Sequence, residues 1–207
     1  MTTRPLGRRS LLTMTMVILG LVASPLRAVA DDDVLAPIHR LNDGLLRVMK
    51  AGHATPFSQR FDMLAPVIDQ TFDLSAILKE SVGLAWDSQP PDQQAALLKA
   101  FRRYTVASYV NSFDEYNGQR FLINPETQTV GNDEIVRTQI MPVSGDSHQL
   151  NYVMRQGPAG WRITDVLADG AVSRVAVQRS DFRRLIRVGG APALAQSLQA
   201  KSDLLSD

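Results

Sequence analysis

Between positions 149 and 170 the chain reads QLNYVMRQGPAGWRITDVLADG, two strand-like runs joined by a turn rich in glycine and proline. Leu150, Tyr152 and Met154 alternate with Asn151 and Arg155, the period of a pleated strand with one apolar face. Residues 156–160 reverse the chain, because glycine accepts positive φ and Pro158 presets its own. The return run carries apolar residues on both parities: Trp161 and Ile163 on one, Val166 and Ala168 on the other. Either a bulge near Asp165 or a sheet covered on both faces accounts for this pattern. Two covered faces are the expectation, and they offer a place to shelter something apolar.

Further strands precede this hairpin. Residues 120–124, 127–130 and 134–142 read as strands separated by Asn, Gly and Asp turns, with Val136, Thr138 and Ile140 on one face. Together with the hairpin they predict a meander of about four antiparallel strands. Helical spacing surrounds them. Val34, Ile38, Leu41, Leu45 and Val48 form one stripe that stops at Gly52; Phe57, Phe61, Leu64 and Ile68 form a second after Pro56. Asp73 or Ser75 caps a short third helix ending near Gly83. Pro90-Pro91-Asp92 opens the longest helix, to about Tyr116, with a broad apolar surface that includes Leu97, Phe101, Tyr104, Tyr109 and Phe113. One side of so wide a surface can pack while another lines a cavity; a helix buried on most sides has the same pattern. Val172, Val175, Phe182 and Ile186 restore helical spacing up to Gly189-Gly190, and Pro192 starts a last helix with Leu194 and Leu198. Helices, then a sheet, then helices is an α+β order.

The N-terminus belongs to none of this. Arg4, Arg8 and Arg9 precede an apolar run from Leu11 to Ala23, and Ala28-Val29-Ala30 supplies a small-x-small site before three aspartates. Residues 1–30 are therefore read as a cleaved signal peptide and 31–207 as a single domain. The run is short for a membrane span, which leaves an uncleaved anchor as the alternative. Arg8-Arg9-Ser10-Leu11-Leu12 also fits a twin-arginine signal, so a Sec or a twin-arginine route to the periplasm stays open. The chain has no cysteine, hence neither a lipobox nor a disulfide. Of its 22 basic residues four lie in the leader, which leaves 18 against 21 acids. A nucleic-acid partner loses its electrostatic argument.

Catalytic constellations are scarce. His39, His53 and His148 stand apart with no metal-ligand spacing, and there is no Gly-x-Ser-x-Gly, phosphate-cradling loop or thiol nucleophile. Asp165 and Asp169 are the best general-base candidates, set among apolar neighbours that would raise a carboxyl pKa. The plainer reading makes them a hydrogen-bonded carboxylate and a turn residue before Gly170. Neither a cofactor nor a metal is implied.

Several short motifs, in order, resemble the MlaC-type periplasmic lipid-binding proteins (the toluene-tolerance auxiliary family), and most of all its hopanoid-associated HpnM branch. Val82-Gly83 to Trp86 is similar to the family's Gly-x-x-Trp, the run from Phe101 to Tyr109 to its aromatic helix, and Val136-x-Thr138-x-Ile140 to its first clear strand. Trp161-Arg162-Ile163-x-Asp165-Val166 resembles its Trp-basic-Ile-x-Asp-Val strand. Gly170-x-Val172-Ser173, with Arg179 and Phe182, echoes the start of its next helix, and Gly189-Gly190 to Leu194 and Leu198 its terminal helix. Val177-Gln178 departs from the Asn-Tyr that often stands before the family's arginine.

The resemblance implies a curved antiparallel sheet packed against N- and C-terminal helices around an apolar cavity. It implies a periplasmic shuttle carrying a phospholipid or hopanoid-type lipid. The implied partners are an inner-membrane ABC transporter with a ring-forming substrate-binding component and an outer-membrane lipoprotein complex. Two acyl chains hold about 30 methylenes at about 0.8 kcal/mol each, so a carrier must hide on the order of 25 kcal/mol of apolar surface. The expected lining comes from the sheet (Val136, Ile140, Tyr152, Met154, Ile163 and Val166) and from the helical runs (Phe101, Tyr104, Val172 and Ile186). Each of these also fits ordinary core. Tyr104 and Tyr152 carry polar tips suited to a mouth, and Arg179 suits a phosphate, a partner's acid or solvent. The alternative function is a lipid-modifying or isomerase-like enzyme on a cone-shaped scaffold, with Asp165 as its base.

Overall fold

The structure, a computed structural model, describes residues 1–2 and 33–206. The leader read from the sequence, apart from its first two residues, lies with its cleavage site outside the described residues.

Helix α1 (Ala36–Ala51) begins with Pro37 in its first turn and turns Ile38, Leu41, Leu45 and Val48 fully inward. Gly52 ends it at φ 58°, its N–H returning to the Val48 carbonyl. Helix α2 (Phe57–Thr71) packs across α1 at Gly44, where an added Cβ would stand 2.9 Å from a Val67 methyl. Asp73 caps α3 (Leu74–Val82), its carboxylate accepting the Ala76 N–H at 2.9 Å. A 3₁₀ turn, Gly83–Ala85, brings Trp86 into the core. Helix α4 (Pro91–Ser112) follows with proline in its first turn. It stops short of the expected Tyr116: Phe113 already has φ −123° and ψ 57° and gives the last turn its closing N–H.

The sheet is wider than four strands. Strands β1 (Arg120–Ile123) and β2 (Gln128–Val130) both pair with β3 (Asp133–Met141), as one edge strand interrupted at residues 124–127. Strand β4 (His148–Gly157) and strand β5 (Gly160–Ala168) form the expected hairpin, reversed at Pro158-Ala159 with Gly160 at φ 88°. A two-residue β6 (Val172–Ser173) completes the antiparallel order β1-β3-β4-β5-β6. Helix α5 (Arg174–Ser206) closes the chain, broken at Gly190, whose φ of 63° and ψ of −160° separate the two helices expected there.

Two further expectations need correction. The mixed parity of β5 arises from a bulge and not from two covered faces. Val153 pairs with Asp165 and Met154 with Ile163, so Thr164 is the extra residue. The slip puts Ile163 and Val166 on the same, helix-facing side, both buried. On the other face Ile135, Val153 and Leu167 stay partly exposed. Val172, grouped with the helical spacing, belongs to β6; the helix starts after it because Ser173 Oγ accepts the Ala176 N–H at 3.0 Å.

The core lies between the inner face of the sheet and the helices. Cross-strand pairing stacks its rows: Thr138, Leu150 and Ala168; then Val136, Tyr152 and Val166; then Met154 and Ile163. Phe101 of α4 meets Phe182 of α5 edge-on, ring centroids 6.4 Å apart, above this floor.

Candidate functional site

The inner rows run outward into an open cleft. It measures about 320 Å³ and lies between the end of α4, the sheet and the start of α5. Tyr109 and Phe113 form one wall, Leu150, Val166 and Ala168 the floor, and Ser108, Ser112 and Arg174 the polar lip. Tyr109 and Phe113 face the same way because they are one helical turn apart, and their rings stack 5.9 Å apart at 10°. Phe72 meets Tyr109 edge-on at 5.5 Å and Phe121 lies 6.1 Å beyond Phe113, so four rings run from the α2–α3 junction to β1.

The electrostatics of the cleft are those of an apolar trough with one cationic edge. Burial pushes the Tyr109 phenol well above its ordinary range, and the Arg174 charge only partly opposes the rise. Burial does the same to Tyr152, with Tyr109 adding to it. Both phenols therefore stay neutral at any physiological pH. Arg174 is exposed, and among the described residues no carboxylate lies within ion-pair distance of it.

The residues expected to line a cavity divide into three groups. Val136, Tyr152, Met154, Ile163 and Val166 share the inner face of the sheet, and Phe101 and Ile186 close over it. All seven are buried, and of the ten only Val166 borders the open cleft. Ile140 and Tyr104 are half-buried; the Tyr104 ring lies under the Lys201 ammonium, 5.9 Å from its centroid. Val172 is 51% exposed on β6. The wall residues Tyr109 and Phe113 and the cation Arg174 were missing from the expected set. The one-turn spacing of the two aromatics at the end of the long helix was the available signal; nothing local in the sequence singles out Arg174.

Asp165 has a structural occupation. One carboxylate oxygen accepts the N–H groups of Val166 at 2.7 Å and Val175 at 3.0 Å, and the other accepts the Ser173 hydroxyl. Asp169, at φ 51°, is the turn residue before Gly170. Arg179 donates through Nε and Nη2 to the Glu80 carbonyl, at 2.8 and 2.6 Å, near the end of α3. His39, His53 and His148 are exposed, and among the described residues no three His, Cys, Asp or Glu side chains gather as a metal site. No helix among those residues is long and apolar enough to cross a membrane.

Comparison with known proteins places this geometry in a family. A phospholipid-binding protein from Ralstonia solanacearum, solved in complex with a phospholipid, matches with a TM-score of 0.73. The match covers 84% of this chain and 99% of that one at 19% identity, which establishes a shared fold. None of the curated proteins matches the chain. The MlaC protein family model matches residues 39–200, nearly the whole described domain, and the chain belongs to that family.

Proposed function

We infer that this protein is a periplasmic carrier that binds a phospholipid by its tails and releases it to membrane-bound machinery. The observation that carries the reading is the cleft itself: an aromatic and aliphatic trough, continuous with the inner face of the sheet, with a lone cation and two serines at its lip. Tails suit the trough, and the phosphate suits Arg174, whose guanidinium can hold two phosphate oxygens at once. Family membership and the phospholipid-bound Ralstonia protein favour the same ligand class. A hopanoid would use the same apolar walls without needing the arginine.

A trough of about 320 Å³ lies at the small end of ligand sites, which run from roughly 300 to 1,000 Å³. Two full tails need more, so loading moves the rows behind the trough. Tyr152 stands next inward from Leu150 on β4, with Met154 beyond it. In this reading Phe101, Tyr104, Val136, Ile140, Met154, Ile163, Val172 and Ile186 join the lining once helices and sheet part. The partners that hand over and accept the lipid are an inner-membrane ABC transporter with its ring-forming component and an outer-membrane lipoprotein complex.

The test is organic extraction of the purified protein followed by mass spectrometry. A phospholipid in near-stoichiometric amount is expected. Ala168→Phe, which fills the trough from its floor, and Arg174→Glu should each lower the bound lipid several-fold while leaving the fold intact by circular dichroism. Protein free of any lipid, or lipid content indifferent to both changes, would sink the carrier reading.

A further inference from the structure

The outward face of the first half of α5 belongs neither to the cleft nor to the core. Residues 174–188 hold five arginines and one acid, Asp181, in a chain whose acids outnumber its bases beyond position 30. Arg183, Arg184 and Arg187 are exposed, and among the described residues none has a carboxylate within ion-pair distance. Arg183 and Arg187 stand one turn apart, and like charges so placed disfavour a helix. Asp181, three residues before Arg184, and the helix end at Gly190 offset only part of that cost.

Beside them runs a groove of about 590 Å³ between α3, the 3₁₀ turn and α5. Val82, Leu84 and Ala85 give it an apolar side; Arg179 and Arg183 face them. Its acids are already engaged: Glu80 lies 3.5 Å from Arg155 and Asp87 3.0 Å from Lys79. Arg179 is engaged as well, through the Glu80 carbonyl. The Ser81 hydroxyl donates to Gln178 Oε1 at 3.0 Å, and at the other end Gln89 Oε1 accepts the Ala191 N–H at 2.8 Å, so three residue pairs fasten α5 on this side. The free charges of this surface are Arg183, Arg184 and Arg187 against the single exposed acid Asp181, a net of two positive charges. Two apolar side chains project beside it, Leu84 at 102% and Val188 at 82% exposure.

We propose that this face docks the protein onto an anionic phospholipid bilayer, with the three arginines on lipid phosphates and Leu84 and Val188 in the headgroup–acyl boundary. Guanidiniums with no internal partner match a surface dense in phosphates, each able to take two oxygens. Apolar side chains projecting singly gain by entering a fluid interface, whereas a protein partner would need a shaped pocket for each. The attraction is local, because it fades within a Debye length. Docking does not depend on the cleft, so the two readings fail separately.

The test is flotation of the whole chain, parent and variants prepared alike, with vesicles of phosphatidylcholine alone or mixed with phosphatidylglycerol. The parent should float with the anionic vesicles and be released by salt. Each arginine near such a surface is worth roughly fivefold in affinity, so Arg183→Gln/Arg184→Gln/Arg187→Gln should weaken binding about a hundredfold. Leu84→Ser should weaken it several-fold without changing the salt dependence. Circular dichroism and extractable lipid should match the parent in both variants, as exposed positions require. Equal flotation with neutral and anionic vesicles, or flotation unchanged in the triple variant, overturns the proposal. So does a parent that never floats while the triple variant loses lipid delivery to a membrane protein, a result that would assign the face to an acidic protein partner.

Discussion

Asp165 commits both carboxylate oxygens to the junction of β5 and α5. Asp165→Ala strands two backbone N–H groups and a hydroxyl, which should lower stability by about 2 kcal/mol, read as a lower urea midpoint. Asp165→Asn should cost about half as much, and neither change should alter the lipid recovered per protein. The plainer sequence reading of this carboxylate is the one its partners support. The paired phenols give a pH prediction. Tyr109 and Tyr152 titrate above the ordinary tyrosine range when folded, so nothing changes while both states stay protonated. Above about pH 10 the unfolded chain loses those protons and the folded one keeps them, so stability falls as pH rises. Urea midpoints across that range should drop, and replacing both tyrosines by phenylalanine should make the drop shallower. Arg60 escaped the sequence reading because a cation on a helix is expected in solvent. It is buried, donating to the Thr55 carbonyl at 3.1 Å and reaching the Val110 carbonyl at the end of α4.

Among elements, the early helices were legible because apolar spacing and punctuation agreed: stripes at three and four, Gly52, Pro56 and Asp73 at the joints. The hairpin was legible for the same reason. The bulge was not, since an inserted residue and a doubly covered sheet both place apolar side chains on both parities; only the pairing of Val153 and Met154 distinguishes them. Val172 fitted a helical spacing that in fact begins two residues later, at Arg174, with Ser173 as its cap. Gly190 was read as a stop and is the break inside α5. Its φ of 63° with ψ of −160° suits glycine alone, and an added Cβ would stand 3.0 Å from Gln89 Oε1. Gly190→Ala should therefore cost roughly 1–3 kcal/mol, visible as a lower melting temperature. At Gly44 the gain in helix propensity, about 1 kcal/mol, opposes overpacking against Val67, about 1–3 kcal/mol. Gly44→Ala should thus be neutral to mildly destabilising by thermal melt.

For the whole molecule, the α+β order and every strand of the sheet but β6 were readable, but the location of the open space was not. Which rows of an apolar face are packed and which are open depends on where α4 ends and how α5 crosses it, and neither leaves a mark in periodicity. Tyr152 and Met154 proved to be buried behind the trough, and Tyr109 and Phe113 proved to form its wall. A ligand held only by the folded state adds stability by mass action. Removing bound lipid should therefore lower the melting temperature, and adding phospholipid back should restore it; a melting temperature indifferent to both would count against binding in the trough.

The two ends of the first half of α5 are held unequally. Beside Arg174 a single carboxylate ties strand, cap and helix start together, while at Gly190 the backbone leaves helical geometry and the next N–H, of Ala191, is held by Gln89 alone. A force that lifts this segment from the sheet meets three hydrogen bonds at one end and, at the other, a break in the helix held by one. The rim beside Arg174 would hold its shape while the far side swings, and the protein would widen like a hinged shell without losing its grip at the rim.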